Sequence, residues 1–367
     1  MRNQTMKPLK FKRQTWILAL LIFAHFALYA NPNQHTKEIN KEYDINAETI
    51  IDIENKYGDV NVVNWNKDKV KFEIVITVDH QKEDKAKELL DYITVNFTES
   101  NNTIKAVTEI DDKFNRSGGI FNFSSATKEF SIDYTVKMPK NSNLDLANKY
   151  GNVYIDEITG KANIEVKYGN LKANKILRDN TKPLSRVYLA YSDGAIKEVE
   201  WLKYEIKYGK LDLEKSKALI GVSKYSKLFI DENSSVVCES KYDKYEIDHI
   251  SNFVCESKYT DFKFGQLDKQ LDIITKYGDV RVDKISKGFE KIKIDNDYGQ
   301  IRLGIDPGAS YHFNGEADYA DINYPNGHNL NKTEKNTEMK VSGIIGEDKD
   351  TKSEVIIQTK YGNVRLE

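Results

Sequence analysis

The sequence predicts an all-β protein, a parallel β-solenoid with coils of about 17–21 residues, preceded by an N-terminal α+β capping section that contains one helix. Three observations carry this prediction. The pentapeptide Lys-Tyr-Gly-Asp-Val at 56–60 returns in variant form around Tyr150, Tyr168, Tyr208, Tyr277, Tyr298 and Tyr361, and more loosely around Tyr191, Tyr225, Tyr242, Tyr259 and Tyr319. From Tyr150 to Tyr319 the steps between these tyrosines are 18, 23, 17, 17, 17, 17, 18, 21 and 21 residues. Before each tyrosine the text alternates with period two, as strands do. Three residues after it a Val, Leu or Ile opens a second short strand. Units of this length are too short for a propeller blade and lack the Leu spacing of leucine-rich repeats, which leaves a coil whose strands pair with their equivalents one turn away. Roughly a dozen coils at about 4.8 Å each make a rod about 55 Å long.

The elements follow in chain order. Residues 1–30 read as a signal peptide: Arg2, Lys7, Lys10, Lys12 and Arg13 precede an apolar run from Trp16 to Ala30, too short to span a bilayer comfortably. The expectation is an exported chain, with no stable membrane span after cleavage, placed in the periplasm, at the cell surface or outside the cell. Residues 31–140 read as the capping section. Its helix spans 82–93, where Ala86, Leu89, Leu90 and Ile93 recur at helical spacing. The loop from Asp111 to Thr127 carries Gly118-Gly119 and Phe114, Phe121 and Phe123, and is expected to fold back onto the core. Residues 141–367 read as the solenoid, with polar excursions at Leu177–Arg186 and Pro325–Glu338 and a degenerate unit at Val341-Ser342-Gly343-Ile344 filling the gap before Tyr361. The last coil leaves an edge that a loop covers or that a second chain pairs with, so homo-association through the C-terminal coil is one expectation.

Counting from each tyrosine as zero, positions −6 and −4 are apolar (Ile51 and Ile53, Leu271 and Ile273) and position −2 is small or polar (Asn55, Asn148, Ser240, Thr359). Position +1 holds Gly, Ser226, Asp243, Thr260 or Ala320. Since Thr at positive φ is costly, this slot needs smallness so that the next coil can pack close. The tyrosines, Tyr57 included, form a structural ladder, inside the corner if strand parity holds through the bend, or exposed beside it. A carbohydrate-binding aromatic strip is the competing reading. Position −1 gives an outward lysine column, with Lys207, Lys224, Lys241 and Lys258 as its regular centre; glutamates at −3 would neutralise it, and a polyanion-binding strip is the second reading. Cys238 and Cys255 share the text Val-Cys-Glu-Ser-Lys-Tyr one coil apart and read as free, buried thiols.

Composition excludes some functions. Fifty-five Lys and Arg nearly cancel 57 Asp and Glu for a formal net charge of −2, so no global field draws nucleic acid. No phosphate loop, Cys-x-x-Cys, zinc-protease or nucleophile-elbow motif occurs, and neither cofactor nor metal nor catalytic set is expected. His35, His80, His249, His312 and His328 are scattered. Asp193, Asp295, Asp297, Asp318 and Asp321 with Arg281 and Arg302 are the nearest thing to a polysaccharide-cleaving cluster, but turn roles explain Asp193, Asp297, Asp318 and Asp321 equally well.

The recurring Tyr-Gly-Asp/Asn-Val units, Val136-Lys-Met-Pro139 leading into Leu144-Asp-Leu146, the preceding helix and the signal peptide resemble the bacterial putative-adhesin β-strand-repeat family, a domain of unknown function. The resemblance covers nearly the whole mature chain. It implies an envelope or surface protein; with no catalytic motif in the text, the expectation is a non-enzyme whose partner is an envelope protein or a glycan. A polysaccharide-active lyase or hydrolase on a β-helix is the first alternative, and an envelope-stress signalling component the second.

Overall fold

The computed structural model describes residues 33–116, 130–327 and 330–367. Residues 1–30, read as a signal peptide, and Gly118-Gly119, Phe121, Phe123 and His328 lie outside the described residues. Each coil is a pair of strands joined at its tyrosine, and equivalent strands stack in parallel into two facing sheets. The first sheet runs through Ile50–Lys56, Asn143–Lys149, Ala162–Lys167 and Ser185–Ala190. It continues through the later halves of five 15-residue strands, Asp193–Lys207, Lys210–Lys224, Lys227–Lys241, Lys244–Lys258 and Asp261–Thr275. The second sheet runs through Val60–Asn64, Val153–Ile158 and Asn170–Ile176, then the earlier halves of those same strands, then Val280–Ile285 and Ile301–Ile305. Opposite the tyrosines, therefore, the corner is a bend within one long strand.

The alternation dictates what lies between the sheets. Positions −6 and −4 of the first sheet (Ile51, Ile53, Leu271, Ile273) and +3 and +5 of the second (Val60, Val62, Leu211, Leu213) are all buried, each contributing about 1.5–3 kcal/mol. Where a coil places Gly221 at −4, the ring of Tyr204 one coil away fills the space: a Cβ there would meet that ring at 2.6 Å.

At the N-terminal end both sheets are extended. Thr103–Ile110 pairs in parallel with Ile50–Lys56 and antiparallel with Ile93–Ser100. Phe130–Met138 pairs in parallel with Val60–Asn64, and Lys69–Asp79 and Gln34–Asp44 follow it antiparallel. The helix occupies Glu83–Asp91, with Ala86, Leu89 and Leu90 on its buried side; Ile93, read as its last apolar position, begins the next strand. Phe114 is buried against Phe130, ring centroids 4.8 Å apart, so this part of the loop folds onto the core.

The other end differs from expectation. Glu354–Lys360 pairs with Lys291–Asn296 on one side and Tyr311–Asp318 on the other, and Val364–Leu366 lies between Ile301–Ile305 and Ile322–Asn323. The C-terminal coil is thus inserted one rung in from the end of the stack, with both edges paired. Homo-association through that coil has no free edge to use. The Val341–Ile344 text is not a degenerate coil either. It belongs to Glu338–Ile345, which runs antiparallel to Tyr311–Asp318 and hairpins with Asn331–Lys335, inside the stretch read as a polar loop. Lacking a tyrosine corner, this segment cannot turn into the second sheet, and it folds back as a cover.

Candidate interaction face

The tyrosine corner sets the geometry of the outer surface. Tyr57, Tyr150, Tyr168, Tyr191, Tyr208, Tyr225, Tyr242, Tyr259, Tyr277, Tyr319 and Tyr361 have φ between 51° and 64°; Tyr298 alone of the series does not. A left-handed residue breaks the period-two parity, which is why the side chain swings out while −2 and +1 both point in. The ladder is therefore on the outside. Adjacent ring centroids are 4.7–5.1 Å apart with interplanar angles of 2–16°, in the spatial order Tyr57, Tyr150, Tyr168, Tyr191, Tyr208, Tyr225, Tyr242, Tyr259, Tyr277, Tyr298, Tyr361, Tyr319. Every ring between the two ends has both faces covered by its neighbours. What it offers to solvent is its edge and its hydroxyl.

The residues flanking the tyrosine solve the backbone problem of the corner. Asn148 donates from Nδ2 to the Gly58 and Asn152 carbonyls at 3.0 and 3.3 Å, Asn296 to those of Gly278 and Gly299 at 3.0 and 3.2 Å, and the Thr359 hydroxyl to that of Gly362 at 2.9 Å. Buried carbonyls at the bend are thereby satisfied. At +2, the Asp59 carboxylate accepts the Asn152 N–H at 2.8 Å, the Asn152 side-chain oxygen that of Asn170 at 3.1 Å, and Asp279 that of Gln300 at 2.8 Å. The +1 slot is small because of the next coil: a Cβ on Gly151 would lie 1.9 Å from the Gly58 carbonyl oxygen.

Beside the ladder, on the outer face of the first sheet, run three columns. At −1 are the lysines. Lys207 pairs with Glu205 at 2.8 Å, holding that carboxyl below its ordinary range, while Lys224 and Lys241 lie over the rings of Tyr225 and Tyr242 at 5.3 and 5.6 Å. At −3, Glu239 and Glu256 are exposed and form no ion pair with any described residue, so the expected mutual neutralisation of columns holds at Glu165, which pairs with Lys167 at 2.6 Å, and at Glu205, but not at these two. At −5, Ile220, Val237 and Val254 are in register and 37–46% exposed, and Val222 and Ile274 bracket the two glutamates at 44% and 46%.

Beneath this face lies a buried polar chain that sequence reading missed. The Tyr204 hydroxyl is 3.1 Å from that of Tyr245, which is 2.7 Å from Ser223 Oγ; Ser223 and Ser240 each donate to Asp243 Oδ2 at 2.7 Å. The Ser226 and Lys241 amides donate to the same carboxylate at 2.7 and 3.0 Å. Burial pushes the Asp243 carboxyl up, partly opposed by these donors, and pushes both phenols well up. Cys238 and Cys255 are free and buried in the same layer, their sulfurs 2.7 Å apart, and burial raises the Cys255 thiol. Tyr204 and Tyr245 sit in ordinary inward positions of coils two apart, and only stacking brings them together.

The scattered carboxylates do not converge. Arg281 pairs with Asp283, Arg302 with Glu367, Asp297 with Lys276 and Asp318 with Lys360. His249 is bound to Asp268 at 2.7 Å. Among the described residues no three His, Cys, Asp or Glu side chains are grouped to hold a metal, and no helix is long and apolar enough to cross a membrane.

Fold and face together define a two-sheet parallel β-solenoid with an external tyrosine ladder. No family model and no curated protein matches the chain. Among solved structures it is similar to a putative cell adhesion protein from Clostridium sporogenes, at 10% identity over 90% of this chain and 99% of that one, with a TM-score of 0.19.

Proposed function

We propose that the protein is an exported, non-enzymatic solenoid that works through its outer face as an adhesin or cell-envelope interaction protein. The observation that carries this reading is the ladder of edge-on tyrosines, continuous over the stack, with an unbroken run of lysines beside it from the coil of Tyr208 to that of Tyr277. Sugar rings dock on open aromatic faces, and here the faces are occupied. Recognition along the strip therefore goes through phenol hydroxyls, ring edges and ammonium groups, which suits acidic groups of an envelope protein or an acidic glycan.

The test compares the purified protein with a variant carrying Lys207→Gln, Lys224→Gln, Lys241→Gln and Lys258→Gln on an array of neutral and acidic glycans and on isolated cell envelopes. Binding of acidic members or envelopes that is lost in the folded variant supports the reading. Equal binding by both proteins removes the strip from it, and release of new reducing ends from any glycan overturns the non-enzymatic assignment.

A further inference from the structure

The columns beside the ladder have an order that is complementary to itself. Reading outward from the tyrosines, the face presents Tyr at 0, Lys at −1, Glu at −3 and an aliphatic row at −5, and in the coils of Tyr242 and Tyr259 these are Lys241, Glu239 and Val237, then Lys258, Glu256 and Val254. Two such faces brought together by a two-fold axis parallel to the rod, passing between columns −1 and −3, put Lys241 and Lys258 opposite the partner copy's Glu239 and Glu256 on the same rungs, while the stems of Lys224 and Lys276 meet the partner copy's Val222 and Ile274. The same rotation sets the aliphatic row against the partner copy's tyrosine edges. A two-fold axis across the rod would instead place each column on itself, lysine on lysine and glutamate on glutamate. The charge pattern thus selects one arrangement.

We infer that this face, from the coil of Tyr208 to that of Tyr277, is the interface of a parallel homodimer in which the same rung meets the same rung. It rests on reading the face as an interaction surface and names the partner as a second copy of this chain. Two features favour that occupant. Glu239 and Glu256 form no ion pair among the described residues, although lysines occupy the neighbouring column of the same face. Val222, Val237 and Ile274, at 44–46% exposure, are apolar area that a solvated sheet face does not need. Five rungs at about 4.8 Å by seven residues at about 3.3 Å give a flat face of about 24 by 23 Å, the footprint of a small, reversible interface.

Charge exchange tests this. The full chain is measured by sedimentation velocity over a concentration series as wild type, as Glu239→Lys with Glu256→Lys, and as Lys241→Glu with Lys258→Glu, each checked for native circular dichroism and thermal midpoint. Wild type is expected to dimerise, each variant alone to weaken by on the order of 100-fold because like charges then face each other, and the two variants mixed to form a heterodimer. A wild type that is monomeric throughout, a dimer indifferent to both exchanges, or a mixture that does not associate overturns the inference. Orientation is read from a spin label on Glu205→Cys, in the end rung and beside the two-fold axis: proximity of the two labels supports the parallel arrangement, and a separation near the full height of about 20 Å overturns it. Envelope binding that persists in the Glu239→Lys, Glu256→Lys protein, whose lysine column is intact, leaves the broader functional reading standing when the dimer fails.

Discussion

Eleven tyrosines hold a backbone conformation that bulky L-residues avoid. The left-handed region costs about 1–2 kcal/mol per residue, and stacking an aromatic pair returns about 0.5–1.5 kcal/mol, so each ring inside the ladder, with two neighbours, about offsets its own strain. Tyr225 lies between Tyr208 and Tyr242 at 5.0 and 4.8 Å. Tyr225→Ala is expected to lose both stacks and keep the strain, at a cost of about 1–3 kcal/mol, whereas Tyr225→Gly escapes the strain and costs about 1 kcal/mol less. In ordinary strands the ranking is the reverse, with glycine the worse residue. Urea melts of the two variants decide it, and alanine proving the milder change would falsify the account. This dihedral also decides what the sequence left open, whether the ladder lies inside the corner or beside it. Alternation before the tyrosine points its side chain inward, and nothing in the period of the text announces a single residue that reverses the parity.

The middle coils of the first sheet carry the buried chain from Tyr204 to Asp243, and its behaviour belongs to the element rather than to any one side chain. Because burial raises the Asp243 carboxyl, the folded protein keeps that proton over a range of pH in which the unfolded chain has released it. The site's contribution is complete below the unfolded value of about 3.9 and is lost as pH rises through the raised folded value. Asp243→Ser, which places in this coil the residue that the coil below has at Ser226, removes the titration. Wild-type stability minus variant stability should accordingly fall as pH rises above about 4, measured by denaturant unfolding at each pH, and a difference that is flat or that rises would refute the linkage. Local text made most of the rung legible, since −6, −4 and +3 declare themselves by apolarity and the +1 slot by its small residues. The polar chain was illegible because Tyr204, Ser223, Asp243 and Tyr245 occupy four different slots spread over three coils, and each passes locally for a core aromatic or a turn residue.

At the scale of the molecule, the rod is a sum of neighbours, each rung held by the two beside it. Its described strands form one hydrogen-bonded system, and the parallel register was legible because the repeat spacing maps equivalent residues onto one another. The order of the final rungs was not. Spacing counts coils without saying which edge each will take, and the coil of Tyr361 sits between those of Tyr298 and Tyr319. Deleting residues 354–367 should therefore unseat more than itself: limited proteolysis with mass mapping is expected to show new cleavage across 311–345 while the coils up to Tyr259 stay protected. Unchanged protection of 311–345 would mean that this segment docks without the inserted coil.

That insertion also makes the chain its own competitor. Tyr311–Asp318 is synthesised before Glu354–Lys360, and both present the alternation that the edge of Lys291–Asn296 accepts; in the finished protein only the later one pairs there. A stack that grew strictly in the order of synthesis would close on the earlier strand and leave the later one with no gap to enter. Reaching the native order requires that docking to be either delayed or undone, so the last rungs are governed by timing as well as by contact energy.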